Sequence, residues 1–229
     1  KIRHSLKHDS DEMAGVLLFS DTKTCKDGVC DKKSTDFRIN NGDGASVSTP
    51  QGIINFHTHP EQCYIDVDAV CGWPSGEDMG ATIEFARKNN LVHIVFTLEG
   101  AYVINVKNII SRKDTNIMEK IFKETHVFRS SDQKTQKENF KRFLKPIIKG
   151  GPRTNINMWL NLVNNLTLKT LYILYNDFYG LVGNKKLKIP DNDDKIFSVE
   201  LVKITNNMKF TAGYITESCH VKSFRGARH

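Results

Sequence analysis

Two histidines separated by one residue, in the stretch NFHTHP, are the part of this sequence best suited to bind a metal ion. Residues i and i+2 of an extended chain point to the same side, so His57 and His59 can direct both imidazoles to one point. Ser75 and Asp78 follow at a spacing of three, which places them on one face of a helix. Two imidazoles and a carboxylate supply three ligands for zinc and leave a fourth position for water.

A hydrolytic zinc site also needs a general base beside the attacking water. Glu12 stands immediately before the apolar run MAGVLLF, where a strand is expected, and can take that role. Taken singly, these residues have ordinary interpretations: a strand histidine pair is usually hydrogen-bonded locally, and Ser75 with Asp78 would cap a helix. Five residues in the order that one mechanism requires favour the metal site. The histidines His4, His8, His93 and His126 have no such neighbours and are expected to be ordinary.

The pattern Glu-x-x-Gly, His-x-His-Pro and Ser-x-x-Asp resembles the JAMM (MPN+, JAB1/MPN/Mov34) family of zinc metalloproteases. The matching positions here are Glu12, Gly15, His57, His59, Pro60, Ser75 and Asp78. The resemblance covers about residues 8–110 and extends to the helix after Asp78 and the strands in HIVFTLEGAYVINV. It implies an α/β (α+β) fold of the cytidine-deaminase-like type, in which helices flank a mixed β-sheet.

The resemblance also implies a mechanism. His57, His59 and Asp78 would bind Zn²⁺, with a water completing the site. Glu12 would take a proton from that water and pass it to the leaving amine, while Ser75 would donate a hydrogen bond to the oxyanion. Members of the family typically cut isopeptide bonds between a lysine and the C-terminus of ubiquitin or a ubiquitin-like protein, so such conjugates are the expected partners.

Two segments depart from the family pattern. Residues 61–74 form a longer connection between His59 and Ser75 than eukaryotic deubiquitinases of the family usually have, and they include Cys63 and Cys71. We expect an exposed loop over the metal with both cysteines as free thiols. Residues 111–229 match nothing in the family, and they are a candidate surface for assembly partners.

Composition narrows the class of protein. The chain has 229 residues, of which 39% are hydrophobic, and a formal net charge of +7. The positive charge is spread along the chain without an aromatic and basic motif for stacking bases, so nucleic acid is not an expected partner. The apolar runs are shorter than the roughly 20 residues that span a bilayer. Five cysteines and the lack of an apolar leader predict an intracellular protein, in cytoplasm or nucleus, with a virion location left open.

Turn signals and periodicity predict three parts: a metalloprotease-like domain at 1–110, a charged helical linker at 111–149, and a C-terminal extension at 150–229. Strands are expected in EMAGVLLF, in GIINFHTHP and on both sides of Glu99-Gly100, with a hairpin or loop across 20–50 and a helix from Ser75. The linker has an apolar helical face in KENFKRFLKPIIKG, and GGP at 150–152 marks the boundary. The extension is expected to contain one long helix at 155–179 and a closing hairpin around Asn206-Asn207.

Two alternatives remain beside the enzyme. The first is a JAMM-fold structural or assembly subunit, for example a minor virion protein of a large DNA virus, with a dispensable zinc site. The second is a nucleic-acid-associated hydrolase, suggested only by the net charge. All five residues of the motif are present, which favours the enzyme.

Overall fold

The protein is described by a computed structural model that covers residues 2–26, 29–42, 47–66, 69, 71–125, 155–180 and 186–203. The fold is mixed α/β, with helices flanking a six-stranded mixed sheet. The strands are β1 (Met13–Lys26), β2 (Val29–Asn41), β3 (Ile54–Thr58), β4 (Val92–Phe96), β5 (Ala101–Val106) and β6 (Phe197–Val202). The helices are α1 (Ile2–His8), α2 (Glu61–Asp66), α3 (Gly76–Arg87), α4 (Arg112–Thr125), α5 (Asn155–Asn164) and α6 (Leu168–Tyr179).

The strand order is β2-β1-β3-β4-β5-β6, and among the described strands the central pair β3 and β4 is the parallel one. A parallel pair needs a crossover connection, which helix α3 provides. Every residue of β3 and β4 is buried, as expected for central strands covered on both faces. The crossover therefore places the first turn of α3 near the end of β3.

Alternation along the central strands divides their side chains between two cores. Ile54, Phe56 and Ile94 face a smaller cluster that is completed by α1. The other face carries Asn55 and His57 and packs under the helices, where the larger hydrophobic cluster contains residues from Cys71 to Val199. The helix-facing side of the sheet is therefore where polar side chains of the central strands are enclosed.

Most local predictions for residues 13–106 are confirmed. The strand at EMAGVLLF, the strand that ends before Pro60, the helix capped by Ser75 and the two strands around Glu99-Gly100 are all present. Strands β1 and β2 pair antiparallel over the described residues of 20–41, and their register pairs Cys25 with Cys30. Gly100 has a φ of 155° in the turn between β4 and β5, a conformation that glycine adopts most readily.

The expectation of one long helix at 155–179 is wrong. Helix α5 ends at Asn164, and α6 begins after Thr167, whose side chain accepts a hydrogen bond from the Thr170 backbone while the Thr170 side chain accepts one from the Thr167 backbone. This reciprocal cap satisfies backbone N–H groups that a continuous helix would have used internally. The chain therefore turns between the two helices.

The region after residue 110 contributes to the same sheet as the region before it. Strand β6 pairs antiparallel with β5, in register from Phe197 opposite Val106 to Val202 opposite Ala101. The charged segment is helical over α4, as predicted, while the apolar face around Phe140, the boundary at 150–152 and the strand MKFTAGYIT lie outside the described residues. The division into three parts stays a prediction.

Across the part of the chain that the structure describes, no helix combines the length and apolar character needed to cross a membrane.

Candidate metal centre

The end of strand β3 places both histidines of the motif on the helix-facing side of the sheet. His57 lies opposite Val95 of β4 and Ala14 of β1, so strands flank it on both sides. His59 is just beyond the strand, where its backbone N–H donates to the Phe96 carbonyl at 2.8 Å. The two residues are 4% and 7% exposed. The sheet therefore fixes both rings before any metal binds.

The start of α3 places the carboxylate. Ser75 is the N-cap: its Oγ accepts from the Asp78 backbone at 3.0 Å, and its backbone N–H donates to Asp78 Oδ2 at 2.6 Å. This is the reciprocal arrangement of a capping box, with Asp in the third helical position. The cap holds the Asp78 side chain back along the helix start, towards the end of β3.

Three candidate ligands meet at one point. Asp78 Oδ1 lies 3.2 Å from His57 Nε2, Asp78 Oδ2 lies 3.4 Å from His59 Nε2, and the two Nε2 atoms are 3.0 Å apart. When one ligand atom is taken from each residue, the three atoms all lie within 4.8 Å of one another. The group of His57, His59 and Asp78 can hold a metal ion.

The chemistry of this donor set fits a cation. His59 Nδ1 is 2.8 Å from the Gly72 carbonyl, which can only accept, so Nδ1 carries the hydrogen and Nε2 offers a lone pair in the neutral ring. Burial raises the pKa of Asp78, but the charges and hydrogen bonds of His57 and His59 outweigh it and hold that pKa well below its usual range. An ionised carboxylate and imidazole lone pairs at these distances repel one another unless a proton or a metal cation lies among them. These are also the ligand types and the number that zinc uses in catalytic sites.

Glu12 stands beside this group without joining it. Its Oε1 is 3.9 Å from His59 Nε2, and its side chain is 12% exposed. The pKa of Glu12 is raised to about 7, and burial is the main cause. The charge of His59 lowers this pKa, the charge of Asp78 raises it, and the hydrogen bond from Cys63 lowers it. A carboxyl with a pKa near neutrality is suited to both accepting and donating a proton.

The described residues of the segment 61–74 contact the site through Cys63 and Gly72, and the expectation of a loop exposed along its length is wrong. The segment begins with α2 and ends in a buried stretch in which Cys71 is 8% exposed and Trp73 is fully buried. Cys63 and Cys71 are reduced thiols rather than half-cystines, as expected. Cys63 Sγ approaches Glu12 Oε1 at 3.9 Å, and burial, followed by the charge of Glu12, raises the pKa of Cys63 to about 11. Cys63 is therefore a thiol rather than a thiolate at neutral pH.

Glu99, in the β4–β5 turn, anchors this covering segment. Its Oε1 accepts from the Gly72 backbone at 2.7 Å and from Tyr102 Oη at 2.9 Å, while its Oε2 accepts from Tyr64 Oη at 2.5 Å. Burial, then the charge of Glu99, raises the pKa of both tyrosines, so both stay protonated as donors. The Gly72 peptide thus links Glu99 on one side to His59 on the other.

One further histidine, from strand β4, contacts the candidate ligands. His93 was expected to be ordinary, yet it is 1% exposed and its Nε2 lies 2.9 Å from His57 Nδ1. Its other ring nitrogen is 2.8 Å from Asn55 Oδ1. Burial, then the charge of His57, holds the pKa of His93 well below its usual range, so the ring is neutral. A signal existed: a histidine stands in the middle of the apolar run VHIVF, where it has to be buried.

Comparisons with known proteins give one limited similarity. No family model matches the chain, and no solved structure matches it. The chain is similar to "Uncharacterized protein 3R" of Frog virus 3 (isolate Goorha), with 35% identity over 66 residues. The matched residues make up 29% of this chain and 14% of the viral protein, so the chain spans a small part of that relative's length.

Proposed function

We propose that this protein is a zinc-dependent isopeptidase of the JAMM type. The observation that carries the proposal is the meeting of His57, His59 and Asp78 at hydrogen-bonding distances, with Glu12 Oε1 at 3.9 Å from the same His59 nitrogen. A metallohydrolase needs protein ligands for the metal and a separate group that transfers protons. Here three residues can act as ligands, and a separate carboxyl with a raised pKa can transfer protons. The finer fold assignment, a JAMM-like sheet in which the motif helix is the crossover between β3 and β4, is part of this proposal.

The roles of the chain's own residues follow from their positions. Zinc, when bound, would act as a Lewis acid and make water acidic enough to ionise near neutral pH. Glu12 would accept a proton from the attacking water and return it to the leaving lysine amine. Ser75 Oγ already accepts from the Asp78 backbone, so its hydroxyl hydrogen is available to donate to a developing oxyanion.

The substrate class is proposed from the family resemblance: conjugates of ubiquitin or of a ubiquitin-like protein. The viral relative supports a location in the infected cell or the virion. The region after residue 110 would contribute partner contacts in either place.

The test combines metal content with cleavage. We expect about one zinc per chain in protein never exposed to chelator, and loss of most of it in His57→Ala and Asp78→Ala. Glu12→Gln keeps side-chain volume but removes the basic oxygen. It should retain zinc and melting temperature while cleavage of isopeptide-linked ubiquitin substrates falls by about 10²–10⁴.

Three results would contradict the proposal. Zinc content near zero in the wild type removes the metal centre. Equal cleavage by wild type and Glu12→Gln means that the activity arises elsewhere. Zinc in both proteins with cleavage in neither, across ubiquitin chains and ubiquitin-like fusions, favours the structural subunit instead.

A further inference from the structure

A buried series of hydrogen bonds runs from Asn90 through Asn55 and His93 to His57. The donor and the acceptor of each bond can be assigned by starting from Asn90. Asn90 Nδ2 lies 2.7 Å from the Gly52 carbonyl and 3.0 Å from Asn55 Oδ1. Asn55 Nδ2 lies 3.3 Å from the Pro50 carbonyl. A carbonyl oxygen only accepts, so both NH₂ groups are fixed in place and Asn55 is left with its oxygen facing His93.

The fixed oxygen determines which nitrogen of His93 carries the hydrogen. Asn55 Oδ1 is 2.8 Å from His93 Nδ1 and cannot donate, so Nδ1–H is the donor. In a neutral ring the other nitrogen, Nε2, is then an acceptor. Phe85 of α3 covers the ring, with centroids 5.3 Å apart, and His93 is 1% exposed. The lone pair of His93 Nε2 has to be satisfied from within the protein.

The donor that satisfies it is His57. His57 Nδ1 lies 2.9 Å from His93 Nε2, and the two rings stack with their centroids 4.9 Å apart. Because His93 Nε2 accepts, His57 Nδ1 donates, and the His57 hydrogen is held on the side away from Asp78. Its Nε2 lone pair then points into the group of candidate ligands, 3.2 Å from Asp78 Oδ1.

We propose that His93, oriented by Asn55 and Asn90, is a positioning residue of the metal centre: it holds His57 in the single tautomer that can bind a metal through Nε2. This inference rests on the proposed function, because it assigns a role within the same zinc site. It adds a residue from another strand, 36 positions away in sequence, that never touches the metal. Outer partners of ligating histidines orient the ring and raise its basicity.

Strand pairing explains why these residues meet. Asn55 lies directly opposite His93 in the parallel β3–β4 register, and His57 is the next residue of β3 on that face. The relay is thus built from alternate positions of two adjacent central strands. A network that only stabilised the fold would need its hydrogen bonds to be satisfied, whichever partner donates. The experiment measures which nitrogen of each ring is the donor.

The first measurement is the tautomer itself, in metal-free wild-type protein labelled with ¹⁵N-histidine. Nitrogen shifts and two-bond couplings distinguish a ring nitrogen that carries hydrogen from one that does not. We expect His93 to carry its hydrogen on Nδ1 and to have a bare Nε2, and we expect His57 to carry a hydrogen on Nδ1. A hydrogen on His93 Nε2, or a bare Nδ1 on His57, would overturn the relay, whether or not the protein proves to be an isopeptidase.

The second measurement is zinc affinity by competition with a chelator. His93→Phe keeps the ring but removes both hydrogen bonds, and it should weaken zinc binding by about 10–100-fold. His93→Gln can still donate to Asn55 and accept from His57, so it should stay close to wild type. Asn176→Leu, which removes buried hydrogen bonds to Leu187 far from the site, controls for general destabilisation and should leave affinity unchanged.

Each outcome separates this inference from the proposed function. Equal zinc affinity in wild type and His93→Phe overturns the positioning role while the zinc site survives. If His93→Phe fails to fold, a weakened His93→Gln with normal stability also overturns it, because that variant retains the proposed donor and acceptor. If the wild type binds no zinc, the metal centre fails, and the tautomer spectrum alone decides whether the relay exists.

Discussion

Asp78 uses its two carboxylate oxygens for different contacts. Oδ2 accepts from the Ser75 backbone in the helix cap and also faces His59 Nε2, whereas Oδ1 is turned towards His57 Nε2. The cap and the candidate ligand are therefore the same side chain, so a change in the cap should alter metal binding as well as stability. In an ordinary capping box the acid at the third position serves the helix alone.

Ser75→Ala should separate the two effects. Loss of the N-cap hydroxyl is expected to cost about 1 kcal/mol in the free energy of unfolding. We also expect weaker zinc binding, because Asp78 would be less tightly oriented. Denaturant unfolding and chelator competition measure the two quantities.

Thr167→Ala is the matched control, since Thr167 forms the equivalent reciprocal cap of α6. It should show a similar loss of stability with unchanged zinc affinity. Equal zinc affinity in Ser75→Ala and wild type would show that the cap does not orient the ligand.

Among the elements, the contact between α3 and α4 determines where the ligand helix lies. Gly76, in the first turn of α3, has no room for a side chain, because a Cβ there would be 2.7 Å from the Glu119 carbonyl of α4 and 3.1 Å from Phe122 Cβ. We expect Gly76→Ala to push the helices apart, destabilising the protein by about 1–3 kcal/mol and weakening zinc binding. Thermal unfolding with zinc titration tests this.

Gly80 is the matched comparison, one turn further along α3. A Cβ at this position would meet the end of the Glu119 side chain, which can move aside, rather than backbone. Because alanine favours helix over glycine by up to about 1 kcal/mol, Gly80→Ala should be neutral or stabilising. If Gly76→Ala were equally harmless, the close packing of these helices would not matter to the site.

The covering segment at 61–74 depends on one carboxylate. Glu99→Ala would leave the Gly72 N–H and the hydroxyls of Tyr64 and Tyr102 without their acceptor, so we expect the segment to open more often. The measurement is the labelling rate of Cys71 in folded protein, read by mass spectrometry on its own peptide. Glu200→Ala, an exposed acid on β6, should not change that rate. An unchanged rate in Glu99→Ala would show that other contacts hold the segment closed.

Short-range patterns were enough to predict the candidate ligands. His57 and His59 are related by strand spacing, and Ser75 and Asp78 are related by helix spacing. The roles of His93 and Glu99 could not be predicted in this way, because each depends on pairing between strands or on a turn that reaches another segment. The break near Thr167 was missed for a different reason: its cap uses Thr170 where the usual signal is Glu or Gln.

For the molecule as a whole, Trp159 joins the later region to the site. It is fully buried, and its ring packs against Trp73 at 6.1 Å, Tyr102 at 5.4 Å and Phe122 at 6.3 Å between centroids. Trp73 ends the segment that covers the metal centre, two residues before the cap of α3. The core therefore continues across the predicted boundary at residue 110.

We expect Trp159→Ala to cost about 3–5 kcal/mol and to lower the unfolding transition of the whole protein. A fragment of residues 1–110 should fail to fold or to bind zinc, because it lacks β6 and the helices that cover α3. Denaturation monitored by circular dichroism and by zinc release should show coincident transitions. A folded, zinc-binding fragment would instead support an independent N-terminal domain.

The crossover from β3 through α3 to β4 also has a kinetic consequence. The three candidate ligands and His93 all come from residues 54–96, whereas Glu12 and β6 come from opposite ends of the described chain. Short chain loops close at lower entropic cost than long ones, so the ligand group is able to assemble before the outer strands join. We therefore expect zinc present at the start of refolding to increase the refolding rate. The bound zinc would hold β3, α3 and β4 together before β1 and β6 pair with the sheet.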